Sequence, residues 1–356
     1  MKYEFPVTRT TAPKARPNED ELGFGKYFTD HMFIMEYNEG KGWHDGRIVP
    51  YQNFKLEPAA RVFHYGQEMF EGIKAYPRAN GVPVIFRTDK YVERAHISND
   101  RMCIPDIGTE LMTAAINQLV EVDKDWIPEK EGNALYIRPF IIATEPKLSV
   151  GPANSYTFAI ILSPVASYYE EGLKPTKIYV EHQYIRSVLG GPGYAKVGGN
   201  YASTLISVKK ATDAGFSQVL WLDGAEKKYI EEIGTSNAFF MIDDVIYTAP
   251  LEGTVLPGVT RDSAITLLKE WGYSVKEEMV AIDDFWKAYQ EGRVKEVFAT
   301  GTAAVVSPVG QLQWLDHEMI INNGETGPVS QKLYDELTGI HTGRVEDTHG
   351  WIQPVK

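Results

Sequence analysis

The stretch QVLWLDGAEKKYIEEIGTSNAFFMIDDVIYTAP, residues 218–250, reads as a meander of short strands, with Asp223-Gly224 and Asp243-Asp244 as its turns. Working outward, KIYVEHQYIR (177–186) reads as a strand and YASTLISVKKATDAG (201–215) as a helix closed by Gly215. Downstream, VTRDSAITLLKEWG (259–272) has apolar residues at helical spacing and a glycine stop. DDFWKAYQEGRV (283–294) is a further helix. EVFATGTAAVVSPVG (296–310) is a buried strand–turn–strand, and PVSQKLYDELTG (328–339) is a terminal helix.

In the first half, KYFTDHMFIMEYNEGKGW (26–43) reads as strand and turn. A strand and a helix capped by Thr88 or Asp89 follow, the helix ending before Pro105. TELMTAAINQLVEVDKDWIP (109–128) is another helix, and ALYIRPFIIA (134–143) and YTFAIILSPV (156–165) suit buried strands. Strands grouped in meanders with helices apart from them predict an α+β fold with mixed or antiparallel sheets. A shift to charge, Gly and Pro at YYEEGLKPT marks a linker over 168–176, between a domain at 1–167 and one at 177–356. Residues 1–23, polar and proline-bearing, read as a loosely ordered arm.

Bulk properties narrow the function. A net charge of −12 argues against nucleic-acid and anionic-membrane partners. No run approaches about 18 apolar residues, the length of a membrane span. The single cysteine, Cys103, allows no internal disulfide, and the N-terminus lacks a signal-peptide core, so a cytoplasmic protein is expected.

GYAKVGGNYA (193–202) places Lys196 in a glycine-rich bend. A phosphate-binding P-loop requires Gly-Lys-Ser/Thr, but Ala195 precedes Lys196 and Val197 follows it. The dinucleotide pattern G-x-G-x-x-G fails as well, because position 196 is the lysine. No His-x-x-x-His, Cys-x-x-Cys or G-x-S-x-G motif supports metal or serine-hydrolase chemistry, and His31 and His64 read as packed or solvated.

A constrained, partly buried lysine loses its proton readily and attacks carbonyls, the Schiff-base chemistry of pyridoxal phosphate. Such a cofactor needs an anion site, an acid opposite its pyridine nitrogen and a donor near its phenolic oxygen. VLPGVTRDS offers Gly258, Val259 and Thr260 at a helix start, with Thr302 at a second tight turn. Glu232 is the candidate acid and Tyr201 the candidate phenol partner. The bland alternatives are a helix cap at Thr260 and a solvated charge at Glu232.

FHYGQEMFEGIKAY, VERAHISNDRM, LYIRPFIIATEPKLSVGP, KVGGNYA, EEIGTSN, VLPGVTRDS and EGRVKEVFATGTAAVVSPV together resemble the branched-chain amino-acid aminotransferases, fold type IV pyridoxal-phosphate enzymes, over nearly the whole chain. The resemblance implies a two-domain fold with the active site at the domain interface. It also implies amino-group exchange between L-leucine, L-isoleucine or L-valine and 2-oxoglutarate. Lys196 would be the Schiff-base lysine and proton carrier, Tyr201 the partner of the phenolic oxygen and Glu232 that of the pyridine nitrogen. Arg94, Gly258, Val259, Thr260 and Thr302 would hold the phosphate, with Leu256 against the ring and Thr235 beside the cofactor. Tyr136 and Thr302-Ala303 would bind the α-carboxylate, and Arg138 the distal carboxylate of glutamate. Phe24, Tyr65, Phe70, Tyr168 and Thr235 would line the side-chain pocket. Leu148 and Val150 would reach a partner's pocket, which implies a homodimer. Ala304 and Ser307 stand where some relatives carry a Cys-x-x-Cys pair, so thiol regulation there is not expected. D-amino-acid aminotransferase and aminodeoxychorismate lyase share the lysine, phosphate site and glutamate. LYIRPFIIATEPKLSVGP and FEGIKAY favour the branched-chain type.

Overall fold

The computed structural model describes residues 3–78, 80–166 and 173–355. The chain divides into two compact units. The first comprises Met1–Tyr168, Lys196–Gly198 and Gly339–Lys356, the second Tyr169–Ala195 and Gly199–Thr338. The sequence reading runs the second domain through to 356, whereas the contacts group the last 18 residues with the first unit, where Ile352–Pro354 adds a strand against Val84–Phe86. The expected linker 168–176 lies largely outside the described residues, and Thr176 already opens a strand.

The first unit holds an eight-stranded antiparallel sheet. Its order is Ile352–Pro354, Val84–Phe86, Ile73–Tyr76, Ala134–Ala143, Ser155–Val165, His31–Asn38 and Gly42–Pro50, with Glu68–Phe70 also on Ala134–Ala143. Ala134–Ala143 sets the faces by strict alternation. Leu135, Ile137, Pro139, Ile141 and Ala143 are buried, while Tyr136, Arg138, Phe140 and Ile142 are half-buried on the other side. Helix Thr109–Val122 packs its Met112, Ala115, Ile116 and Leu119 stripe over the sheet, and helix Thr88–Arg101 lies against it. The cap of Thr88–Arg101 differs from expectation. Arg87 holds that place in the left-handed region (φ 50°), with its N–H given to Trp351 O at 2.7 Å, so Thr88 begins the helix itself.

The N-terminal arm corrects the sequence reading. Val7 bridges Ile48, Gln118 binds both the N–H and the carbonyl of Phe5, and Phe5 meets Phe33 edge-on. Leu22 is also buried. Polar composition concealed two apolar anchors, at Phe5 and Leu22, spaced too far apart to form a pattern.

The second unit holds a nine-stranded mixed sheet. Ile230–Ile233 pairs with both Gln218–Leu222 and Ser236–Ile242. The ring therefore closes through Thr176–Val180, Val305–Trp314 and Val294–Gly301. Val245–Thr248, Ser274–Glu277 and His317–Ile320 extend it. The meander of 218–250 is present as read, including the turn at Asp243 (φ 54°). A core of Ile178, Leu220, Ile230, Phe240, Phe285, Val297 and Leu312 packs together, with Phe285 supplied by helix Ile282–Gln290. The single helix expected from Tyr201 is two, Gly198–Ala202 and Leu205–Asp213. The Ser203 and Thr204 hydroxyls bond the Asn200 and Tyr201 carbonyls, offering the backbone a turn between them.

Candidate active site

In the first unit the half-buried face of Ala134–Ala143 carries Tyr136 and Arg138, two residues apart as read from sequence. Arg138 Nη2 donates to Tyr136 Oη at 3.0 Å, and its guanidinium lies over the Phe70 ring at 4.8 Å. Arg138 Nε is buried without a hydrogen-bond partner among the described residues, which suits it to a bound acceptor. Gly72 leaves room for the Tyr136 hydroxyl, which a Cβ there would displace. Phe24 meets Tyr136 edge-on at 4.9 Å.

Lys196 belongs to this face. Its Nζ stands over Phe70 at 4.7 Å, its N–H donates to Ser98 Oγ at 2.8 Å, and its carbonyl accepts from Phe70 N–H. The loop is thus pinned on both sides of the lysine. Burial lowers the Lys196 ammonium to about 8, assisted by Arg94, against the raising effect of Glu71 and Tyr136. An amine so placed is a usable nucleophile and base near neutral pH.

Arg94 is buried and forked onto Glu71, with Nε to Oε1 at 2.8 Å and Nη2 to Oε2 at 2.7 Å. Sequence reading singled out Arg94 but not Glu71, since a glutamate in FEGIKAY gives no local sign of its partner 23 residues on. Lys74, register partner of Tyr136, was missed too; burial lowers it to about 8.

In the second unit Glu232 is buried on Ile230–Ile233, and it is not a solvated charge. Arg186 Nε meets its Oε2 at 2.8 Å, while Asn237 Nδ2 and the Leu256 N–H donate to Oε1 at 3.0 and 3.3 Å. Arg186 is anchored in turn on the carbonyls of Thr254 and Gly193. These donors favour the charged carboxylate. Asn237 also donates to Leu256 O at 2.9 Å, tying the acid to the segment leading into helix Val259–Glu270. Gly258, not Thr260, occupies the N-cap position. Thr260 is buried in the first turn, where N–H groups and the helix dipole favour an anion. A Cβ on Gly258 would overlap Asn237 Oδ1, so helix start and acid are packed as one piece.

The other expected residues are distributed as follows. Tyr201 is on the short helix Gly198–Ala202, Thr235 is exposed in the turn between Ile230–Ile233 and Ser236–Ile242, and Leu256 is buried. Thr302 and Ala303 form the turn after Val294–Gly301. Tyr65 closes helix Arg61–Tyr65 and is exposed, as are Leu148 (67%) and Val150 (85%). Tyr168 lies outside the described residues. His31 is buried and bonded to Asp123 at 2.6 Å, and His64 contacts the Pro58 carbonyl.

The first unit holds a lysine with a lowered pKa, and the second a buried acid braced by an arginine and a helix N-terminus, each a group of the kind a phosphate-bearing carbonyl cofactor needs. Comparison with known proteins agrees. Residues 68–312 match the family model "Amino-transferase class IV". "Branched-chain-amino-acid aminotransferase 2" of Bacillus subtilis (strain 168) is 53% identical over 99% of this chain and 98% of its own. The branched-chain amino acid aminotransferase of T.th. with pyridoxamine 5'-phosphate superposes with a TM-score of 0.76 at 30% identity, covering 91% of this chain and 98% of that one. The same protein complexed with N-(5'-phosphopyridoxyl)-L-glutamate gives 0.74 at 30% identity, with the same coverage. The chain belongs to the class IV aminotransferases, and within them to the branched-chain amino-acid aminotransferase family.

Proposed function

We propose that this protein transfers the amino group of L-leucine, L-isoleucine or L-valine to 2-oxoglutarate, reversibly, with pyridoxal phosphate as cofactor. The observation that carries the reading is Lys196, held at about 8 over Phe70 beside the Tyr136–Arg138 pair.

When bound, the cofactor supplies an aldehyde for amine exchange and a ring that accepts an electron pair. Lys196 takes the proton from the substrate α-carbon and returns it on the far side of the exchange, which suits an amine tuned near neutral pH. Glu232, whose carboxylate accepts from Arg186, Asn237 and the Leu256 N–H, would hold the pyridine N–H⁺ of the bound cofactor. Tyr201 serves the phenolic oxygen. Val259, Thr260 and Thr302 serve the phosphate, with Arg94 fixed in its fork by Glu71 and Leu256 packing on the ring. The Tyr136 hydroxyl and the Thr302-Ala303 backbone hold the α-carboxylate. Phe24, Tyr65 and Phe70 would serve an apolar side chain, each buried CH₂ contributing about 0.8 kcal/mol; Thr235 and Tyr168 are further expected contributors. Arg138 meets the distal carboxylate of glutamate. The protein works as a homodimer to which Leu148 and Val150 contribute across the interface. A cytoplasmic location is part of the proposal.

An amino-donor screen with 2-oxoglutarate tests the reaction. L-leucine, L-isoleucine and L-valine should be the preferred donors, and a preference for D-alanine overturns the substrate assignment. Borohydride treatment of the holoenzyme followed by peptide mapping should place the pyridoxyl group on Lys196; another labelled lysine overturns its role.

A further inference from the structure

The proposed exchange asks one pocket to accept an apolar side chain and an acidic one in turn, and the inference that follows rests on that reading. Glu68 and Phe70 are two apart on one strand, in register with Ile142 and Phe140 of the strand that carries Tyr136 and Arg138. All of these side chains therefore share one face. The Phe70 ring carries two cations, Arg138 at 4.8 Å and Lys196 at 4.7 Å. Glu68 lies beside them and accepts the N–H of Gly198, two residues beyond Lys196. The charged groups facing Glu68 are Arg138, from the neighbouring strand, and Lys196, from the loop. Arg94 and Glu71, which face Lys196, neutralise one another in their fork.

A guanidinium packed between Phe70 and Tyr136 is poorly hydrated and needs a negative neighbour when the bound side chain is apolar. A substrate with a distal carboxylate brings that neighbour itself. The charge on Glu68 then becomes surplus, because two carboxylates beside one cation repel each other.

We propose that Glu68 is a positioning residue acting through Arg138: ionised, it balances Arg138 while a branched side chain is bound, and it takes up a solvent proton when the distal carboxylate of a dicarboxylic substrate reaches Arg138. Only an O–H bond forms and breaks, and the proton returns to solvent on release. Burial already raises Glu68 above the usual carboxylate range, against the lowering effect of the Gly198 N–H, Arg138 and Lys196. A second carboxylate acts in the same direction as that burial.

The holoenzyme can be titrated with two unreactive acids, glutarate and 4-methylpentanoate, by calorimetry in buffers of different ionisation enthalpy. Each acid carries one carboxylate at the position of the α-carboxylate, so their difference isolates the distal group. Glutarate should draw protons from the buffer where 4-methylpentanoate does not. Its affinity should fall with rising pH, by up to about tenfold per unit, once the pH exceeds the range in which free Glu68 ionises, while that of 4-methylpentanoate stays level. Glu68→Gln, with its fold checked by circular dichroism, should abolish both the uptake and the slope. Equal uptake for the two acids in the unsubstituted enzyme overturns the proposal, as does uptake that persists in Glu68→Gln. The proton count of the unsubstituted enzyme decides the matter even where the variant does not fold. Turnover of L-leucine with 2-oxoglutarate, measured on the same preparation, separates the two readings. Its absence overturns the function, whereas turnover with equal uptake overturns only the role of Glu68.

Discussion

At the scale of single residues, the face around Tyr136 is built by exclusion as much as by attraction. Gly72 leaves no side chain where the tyrosine hydroxyl sits, and that hydroxyl accepts from Arg138. Gly72→Ala must therefore push Tyr136 off its position. Overpacking of this kind costs about 1–3 kcal/mol. The expected outcome is a lower melting temperature together with a raised KM for the amino donor, read by calorimetry and steady-state kinetics. An unchanged KM would separate Tyr136 from carboxylate binding. His341 gives a prediction of opposite character. It is buried, stacked on Tyr76 at 4.6 Å and edge-on to Phe86, with neither ring nitrogen hydrogen-bonded among the described residues. Burial, with Lys74 and Arg78 nearby, lowers its pKa to about 3 from 6.5. The unfolded chain therefore binds a proton that the folded chain refuses. The stability contribution is fully present above about pH 6.5 and is lost as pH falls toward about 3, at up to about 1.4 kcal/mol per unit. His341→Phe should flatten that part of the acid-unfolding curve, as followed by chemical denaturation between about pH 6.5 and 4. A slope equal to that of the parent would place the acid sensitivity elsewhere.

At the scale of elements, Asn237 joins a strand to a helix start. One amide nitrogen serves both Glu232 and the Leu256 carbonyl, and its oxygen occupies the space a Gly258 side chain would need. Asn237→Ala should leave Glu232 short of a donor and loosen the approach to helix Val259–Glu270. Leaving such a buried group unsatisfied costs about 1–3 kcal/mol. Faster loss of pyridoxal phosphate on dilution, followed by absorbance, is the expected result; an unaltered release rate would contradict the coupling. The same elements mark what the sequence could convey. Glu232 and Thr260 were legible as candidates from a strand and a helix-start pattern, Tyr136 and Arg138 only through the family resemblance. Arg186, Glu71 and Glu68 were not, because their significance comes from partners 46, 23 and 130 residues away. A charge in a strand-like run carries no mark of the distant group that will neutralise it. The split after Ala202 escaped for a related reason, since Ser203 and Thr204 fit a helical pattern and divide it only through where their hydroxyls bond.

At the scale of the whole molecule, connectivity explains why the domain limits were harder to read than the elements. The chain leaves the first unit after Tyr168, returns for Lys196–Gly198 and returns again from Gly339. Composition marks the first of these passages and neither of the others, because a three-residue visit changes no average and helix Pro328–Thr342 runs through the last without a break. The N-terminal arm shows the same limit: its order depends on Phe5 and on backbone pairing at Val7, which an average polarity conceals. Leu148 and Val150 are 67% and 85% exposed in a single chain, on a loop whose neighbour Gly151 is held by Arg61. Apolar side chains presented from an anchored loop suit a partner surface better than solvent. Light scattering should give twice the chain mass at micromolar concentration. Val150→Asp, which alters a position exposed in the single chain, should leave the fold of each chain intact by circular dichroism. It should weaken L-leucine more than L-glutamate as donor, since a charge at the mouth of an apolar pocket opposes the entry of an apolar side chain. Equal loss for both donors would place Val150 outside the pocket, and a mass of one chain with full activity would remove the dimer from the mechanism.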